Sequence, residues 1–141
     1  MKQFTEFIVN HMLLASAFIV ILMLLVYEEM KRKVLGFKEI KPMDAVRLIN
    51  HEDALVVDVR DVKDYQQGHV LNALHIPLHE LEERLQGLKD HQTKPVIVYC
   101  RHGQSSAKAG SLLHKHGFEK TFKLAGGISS WQGADLPLSK K

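Results

Sequence analysis

The stretch Lys94–Gly110, KPVIVYCRHGQSSAKAG, sets an unbroken apolar run against a lone cysteine, a glycine and two serines. Val96 to Tyr99 do not alternate with polar residues, so the segment reads as a strand buried on both faces, as in a parallel sheet covered by helices. Cys100, the only cysteine of the 141-residue chain, ends that strand. Gly103 allows close curvature of the backbone, and from Ser105 to His116 the spacing predicts a helix with Ser106, Ala109, Gly110 and Leu113 on one side. Gly117 is its stop.

Working outward, strand and helix signals alternate. FKEI is followed by KPMDAVRLIN, where Pro42 suits a first helical position and Met43, Val46 and Ile49 share a face. DALVVDV reads as a strand, DVKDYQQG as a short helix ended by Gly68, NALHIP as a strand stopped by Pro77, and LHELEERLQGL as an amphipathic helix. After the cysteine segment come the strand KTFKL, a Gly-Gly turn and a closing ISSWQG, with Trp131 in or over the core. This alternation predicts an α/β fold around a mostly parallel sheet.

Phe7 to Tyr27, FIVNHMLLASAFIVILMLLVY, holds no acidic residue, lysine or arginine. At about 1.5 Å per helical residue, such a segment crosses about 30 Å of hydrocarbon. A buried core helix and a cleaved signal peptide are the alternatives, the second disfavoured because VYEEMKRKV offers no small-x-small cleavage site. Lys31, Arg32, Lys33, Lys38 and Lys41 follow the span and only Lys2 precedes it, so the positive-inside rule puts the C-terminal part in the cytoplasm. The expectation is a single-pass protein of the cell's inner (plasma) membrane: tail 1–6, transmembrane helix 7–27, basic linker 28–36, globular domain 37–138 and tail 139–141. The basic linker either rests on anionic headgroups or is simply solvated.

A formal charge of +3 with scattered basic residues gives no argument for nucleic acid. One cysteine cannot form an internal disulfide. Without compact His/Cys/Asp/Glu spacing, neither a metal site nor a cofactor is expected; His114 and His116, two apart on a helix, point to different faces.

A lone cysteine ending a strand is either a small buried hydrophobe or a nucleophile. The second reading is supported by position, since sites in open α/β sheets lie at the carboxyl ends of strands. The following turn supports it too, because free N–H groups at a helix start favour a thiolate and bind anions. Arg101 and His102 add positive charge beside it.

With CRHGQSS at the strand end, VVDVRDVKDYQQGHVLNALHIPL upstream and LAGGISSW downstream, the region from Phe37 to Leu138 resembles a rhodanese-like domain. The resemblance implies a three-layer α/β fold with a central, mostly parallel five-stranded sheet, here preceded by the transmembrane helix, as in membrane-anchored single-domain members. It implies a sulfurtransferase in which Cys100 attacks a sulfane donor such as thiosulfate, carries the sulfur as a persulfide and yields it to a thiophilic acceptor such as cyanide, a thiol or a protein. Arg101, His102, Gly103, Gln104, Ser105 and Ser106 would form the substrate-binding loop, with Arg101 attracting an anionic donor. Where some rhodanese loops read C-x-x-G-x-R, Ser105 stands at the arginine position, so that side chain cannot hold a dianion here. The related phosphatases need an arginine where this chain has Ser106, which argues against phosphate chemistry. Asp58, Arg60 and Asp64 match positions expected to brace the site as an ion pair, and Gly68–His69 match a structural turn. The alternative function is a non-catalytic module tethered beside a membrane-protein partner.

Overall fold

In the computed structural model, the described residues are Phe7 and residues 11–140, with the backbone alone of Arg32. The chain divides into two compact units, Met1–Val34 and Leu35–Lys141.

The first unit holds most of helix α1 (Met12–Leu35), which is long and apolar enough to cross a membrane. Its apolar side chains, among them Leu13, Phe18 and Leu25, are exposed. Residues 1–6 and 8–10 of the expected tail and span lie outside the described residues. Residues 28–35, expected as a linker, continue the helix, since Glu, Met, Lys, Arg and Leu are strong helix formers. Gly36, at φ 72°, follows its end, a left-handed conformation that glycine adopts without strain.

The second unit is an α/β domain. Its elements are β1 (Lys38–Ile40), α2 (Pro42–Glu52), β2 (Leu55–Asp58), α3 (Val62–Gln67), β3 (His69–Val70), β4 (Leu74–His75), α4 (Leu81–Arg84), β5 (Val96–Tyr99), α5 (Gln104–Lys115), β6 (Thr121–Leu124), α6 (Gly127–Gly133) and β7 (Leu138–Ser139). The main sheet has the order β1-β6-β5-β2-β4, and all its pairings are parallel. A small second sheet pairs β3 antiparallel with β7, which brings Ser139 of the expected tail into a strand.

Strand β5 is central and wholly buried, as its apolar run requires. Because side chains alternate across a strand, Val96, Val98 and Cys100 join one core layer with Ala109 and Leu113 of α5, while Ile97 and Tyr99 join the other with Ile128 and Trp131 of α6. The cysteine therefore emerges on the face that α5 covers. The expected helix over LHELEERLQGL is instead broken, with 3₁₀ turns at Leu78–Glu80 and Leu85–His91 flanking α4. Leu81, Leu85 and Leu88 still reach the core. Gly87 lies in the second 3₁₀ segment, where its low helix propensity weakens a continuous α-helix.

Candidate active site

Cys100 lies one residue beyond β5, at the carboxyl end of the sheet, and is 5% exposed. It sits in the wall of a pocket of about 490 Å³ lined also by Arg60, Asp61, Asp64, His79, Gln104 and Ser105. Residues 100–103 turn back sharply, with Gly103 at φ 104° as the residue before α5. This turn brings the Gly103 N–H to donate to Sγ at 3.0 Å. The thiol in turn faces Ser106, whose Oγ is 3.5 Å from Sγ and donates to the Gly103 carbonyl at 3.1 Å. Burial pushes the Cys100 thiol up, but the Ser106 hydroxyl and the backbone N–H groups of Ser106, Gly103 and His102 outweigh it and hold the thiol below its ordinary value. The site is therefore built to stabilise negative charge on sulfur.

The loop's carbonyls are held from the other side. Ile128 N–H donates to the Cys100 carbonyl at 2.8 Å and Ser129 N–H to the Arg101 carbonyl at 3.3 Å, so the first turn of α6 receives them. This approach requires Gly127: a Cβ there would lie 2.3 Å from the Cys100 carbonyl oxygen and 2.6 Å from that of Arg101, at φ 61°. The Gly-Gly pair is visible in the sequence as a turn, but its contact with the cysteine loop is tertiary and carries no local signal.

The loop residues singled out in the sequence do not all face the sulfur. Arg101, His102, Gln104 and Ser105 line the pocket, whereas Ser106 is fully buried beneath it and Gly103 serves through its backbone. The His102 ring turns toward Ser129, with Nδ1 3.3 Å from the hydroxyl oxygen.

The expected bracing group of Asp58, Arg60 and Asp64 divides into two pairs. Asp58, fully buried, accepts from Nε and Nη2 of Arg60, the shortest contact being 2.6 Å, and Arg60 Nη2 also donates to the Gly68 carbonyl. Burial alone would weaken the Arg60 charge, and the Asp58 carboxylate more than restores it. Tyr99 belongs to the same cluster: burial and the adjacent Asp58 carboxylate raise its phenol, which accepts from Val70 N–H. Asp64 instead pairs with Arg101 at 2.6 Å, across the mouth of the pocket, because α3 carries it over the loop. His69 accepts a structural place, its Nδ1 2.9 Å from the Tyr65 carbonyl and its ring stacked on Tyr65.

A thiol at the end of a central parallel strand, held by a backbone amide and a buried hydroxyl, defines an α/β domain whose candidate site is a cysteine-bearing loop at the carboxyl end of the sheet. Residues 41–134 match the rhodanese-like domain model, and the chain belongs to that family. It is 34% identical over 139 residues to the uncharacterized protein YibN of Escherichia coli (strain K12), a similarity covering 98% of this chain and 97% of YibN, the apolar helix included. It is 36% identical over 96 residues to the thiosulfate sulfurtransferase GlpE of Coxiella burnetii (strain RSA 493 / Nine Mile phase I), covering 68% of this chain and 88% of GlpE. Among solved structures, a rhodanese-related protein from Thermoplasma volcanium superposes with a TM-score of 0.67 at 30% identity, over 74% of this chain and all of that one.

Proposed function

We propose that the protein is a membrane-anchored sulfurtransferase that carries sulfane sulfur on Cys100. The observation that carries this reading is the Gly103 N–H donating to Sγ at 3.0 Å in the wall of an open pocket, beside the buried Ser106 hydroxyl. A merely structural cysteine needs no such donors. In the first half-reaction the Cys100 thiolate attacks the outer sulfur of a donor. With thiosulfate, the new S–S bond forms as the donor's S–S bond breaks, sulfite leaves with that electron pair, and the enzyme holds a persulfide anion. The loop amides and Ser106 stabilise the anion much as an oxyanion hole does. In the second half-reaction an acceptor thiolate or cyanide attacks the outer sulfur and the Cys100 thiolate departs.

In this reading helix α1 is the anchor, and the basic residues after the span support a domain on the cytoplasmic side of the inner (plasma) membrane, near a membrane-associated acceptor or partner. The test is intact mass spectrometry of the full chain in detergent after thiosulfate treatment, where a gain of about 32 Da that Cys100→Ser abolishes is expected. A chain that gains no sulfur from thiosulfate or from a persulfide is instead a tethered interaction module.

A further inference from the structure

The side chains lining the cysteine pocket include two guanidiniums and two carboxylates: Arg60 and Arg101, Asp61 and Asp64. Neither guanidinium is free. Arg60 is bound to buried Asp58, and Arg101 to Asp64 at 2.6 Å. Asp61 has no ion pair among the described residues and adds a carboxylate at the rim. A second, polar pocket of about 380 Å³, lined by Gln67, Ser129 and Gln132, shares Arg60, Asp64, Arg101 and His102 with the first. The Arg101–Asp64 pair thus stands where the two pockets meet.

We propose that Asp64 sets donor specificity: by holding Arg101 it disfavours a dianionic donor such as thiosulfate and favours a low-charge alkyl hydropersulfide. This rests on the sulfurtransferase reading and narrows its substrate class. To engage Arg101, a dianion must first displace a carboxylate that already neutralises it, and it must approach Asp61 and Asp64 while doing so. A hydropersulfide R–S–SH meets neither obstacle. The Cys100 thiolate bonds to its outer sulfur, the donor's S–S bond breaks, and R–S⁻ leaves with that electron pair while the proton stays on the enzyme persulfide. Atoms and charge balance without an oxidant. Asp64 is a positioning residue in this scheme, since it acts through Arg101, and the pair is partly exposed, with Asp64 at 28% and Arg101 at 58%. The effect on affinity is accordingly modest, about five-fold, the upper end for an exposed ion pair.

The experiment compares thiosulfate with an alkyl hydropersulfide as donors to the full chain in detergent, reading thiocyanate formed from cyanide. Asp64→Asn is expected to lower the KM ratio of thiosulfate to hydropersulfide about five-fold, with kcat for thiosulfate changed less than two-fold. Asp64→Glu, which keeps the charge, should return the ratio toward the original. In an Arg101→Ala background the Asp64→Asn gain should vanish. An unchanged ratio in Asp64→Asn, or a gain that persists without Arg101, overturns the assignment while leaving sulfur transfer intact. Failure of both donors to add sulfur to Cys100, read by intact mass, removes the enzyme reading and this proposal together.

Discussion

Replacing Ser106 by alanine tests whether the loop tunes the sulfur. The Oγ lies 3.5 Å from Sγ and, with the thiol protonated, gives its own proton to the Gly103 carbonyl at 3.1 Å. On ionisation the hydroxyl turns to donate to sulfur, gaining a charge-assisted bond of about 1.5–3 kcal/mol and giving up a neutral one of about 0.5–1.5 kcal/mol. The middle of each range leaves about 1.3 kcal/mol, or roughly one pKa unit. Ser106→Ala should raise the Cys100 pKa by about that amount. Because thiolate nucleophilicity rises with pKa by roughly half a logarithm per unit, the rate against pH should cross that of the unaltered chain. At pH below both pKa values the variant is about three-fold slower, and above both it is about three-fold faster. The chain has one cysteine, so iodoacetamide alkylation followed by intact mass reports this site alone, with free cysteine measured alongside. A profile displaced by less than about 0.3 unit, or one lowered equally at every pH, would refute the role given to the hydroxyl.

Gly127→Ala should disrupt the loop from outside, because a Cβ 2.3 Å from the Cys100 carbonyl oxygen meets backbone that no side-chain rotation relieves. The left-handed φ adds about 1–2 kcal/mol and each weakened α6 bond about 1 kcal/mol; urea denaturation should show a loss of roughly 3 kcal/mol, and sulfur loading should fall by about 100-fold. Asp58→Ala leaves the Arg60 guanidinium buried without its carboxylate and should cost about 3–5 kcal/mol, most of it recovered when Arg60 is replaced by methionine as well. For topology, a C-terminal reporter active only in the cytoplasm should be active when fused to Lys141, and carbonate washing should leave the chain in the membrane pellet.

The parts of this fold that show in the sequence are those whose signal is local. Val96–Tyr99 is apolar without interruption because both faces of β5 are covered, and the strand's period of two fixes which layer Cys100 joins. Strands β3 and β7 have two residues each, too few for any periodicity, and exist only through each other, whereas the two residues of β4 fall within the expected strand NALHIP. Charge shows the same limit. Asp58, Asp64, Arg60 and Arg101 are complementary in any pairing, and only the path of α3 over the loop decides that Asp64 meets Arg101. The pattern Leu81, Leu85, Leu88 reports burial correctly but does not distinguish an α-helix from α and 3₁₀ turns in series.

The two sides of the cysteine loop form one device. A peptide unit has its N–H and C=O on opposite sides, so fixing the carbonyl also fixes the direction of the next amide. The Cys100 and Arg101 carbonyls are fixed by N–H groups of α6, which directs the amides of Arg101 and His102 away from that helix. Those of His102, Gly103 and Ser106 then act on the sulfur from the inner side. Preorganisation matters because these amides, unlike the Ser106 hydroxyl, need not reorient when charge appears on the thiolate or moves to the outer sulfur of a persulfide. The downstream Gly-Gly pair therefore belongs to the sulfur site although it touches no substrate. Without a glycine at position 127, α6 cannot come close enough to hold the carbonyls, and the amides lose the constraint that aims them. The lowered thiol and the helix some 27 residues further along the chain are thus two ends of the same hydrogen-bonded structure.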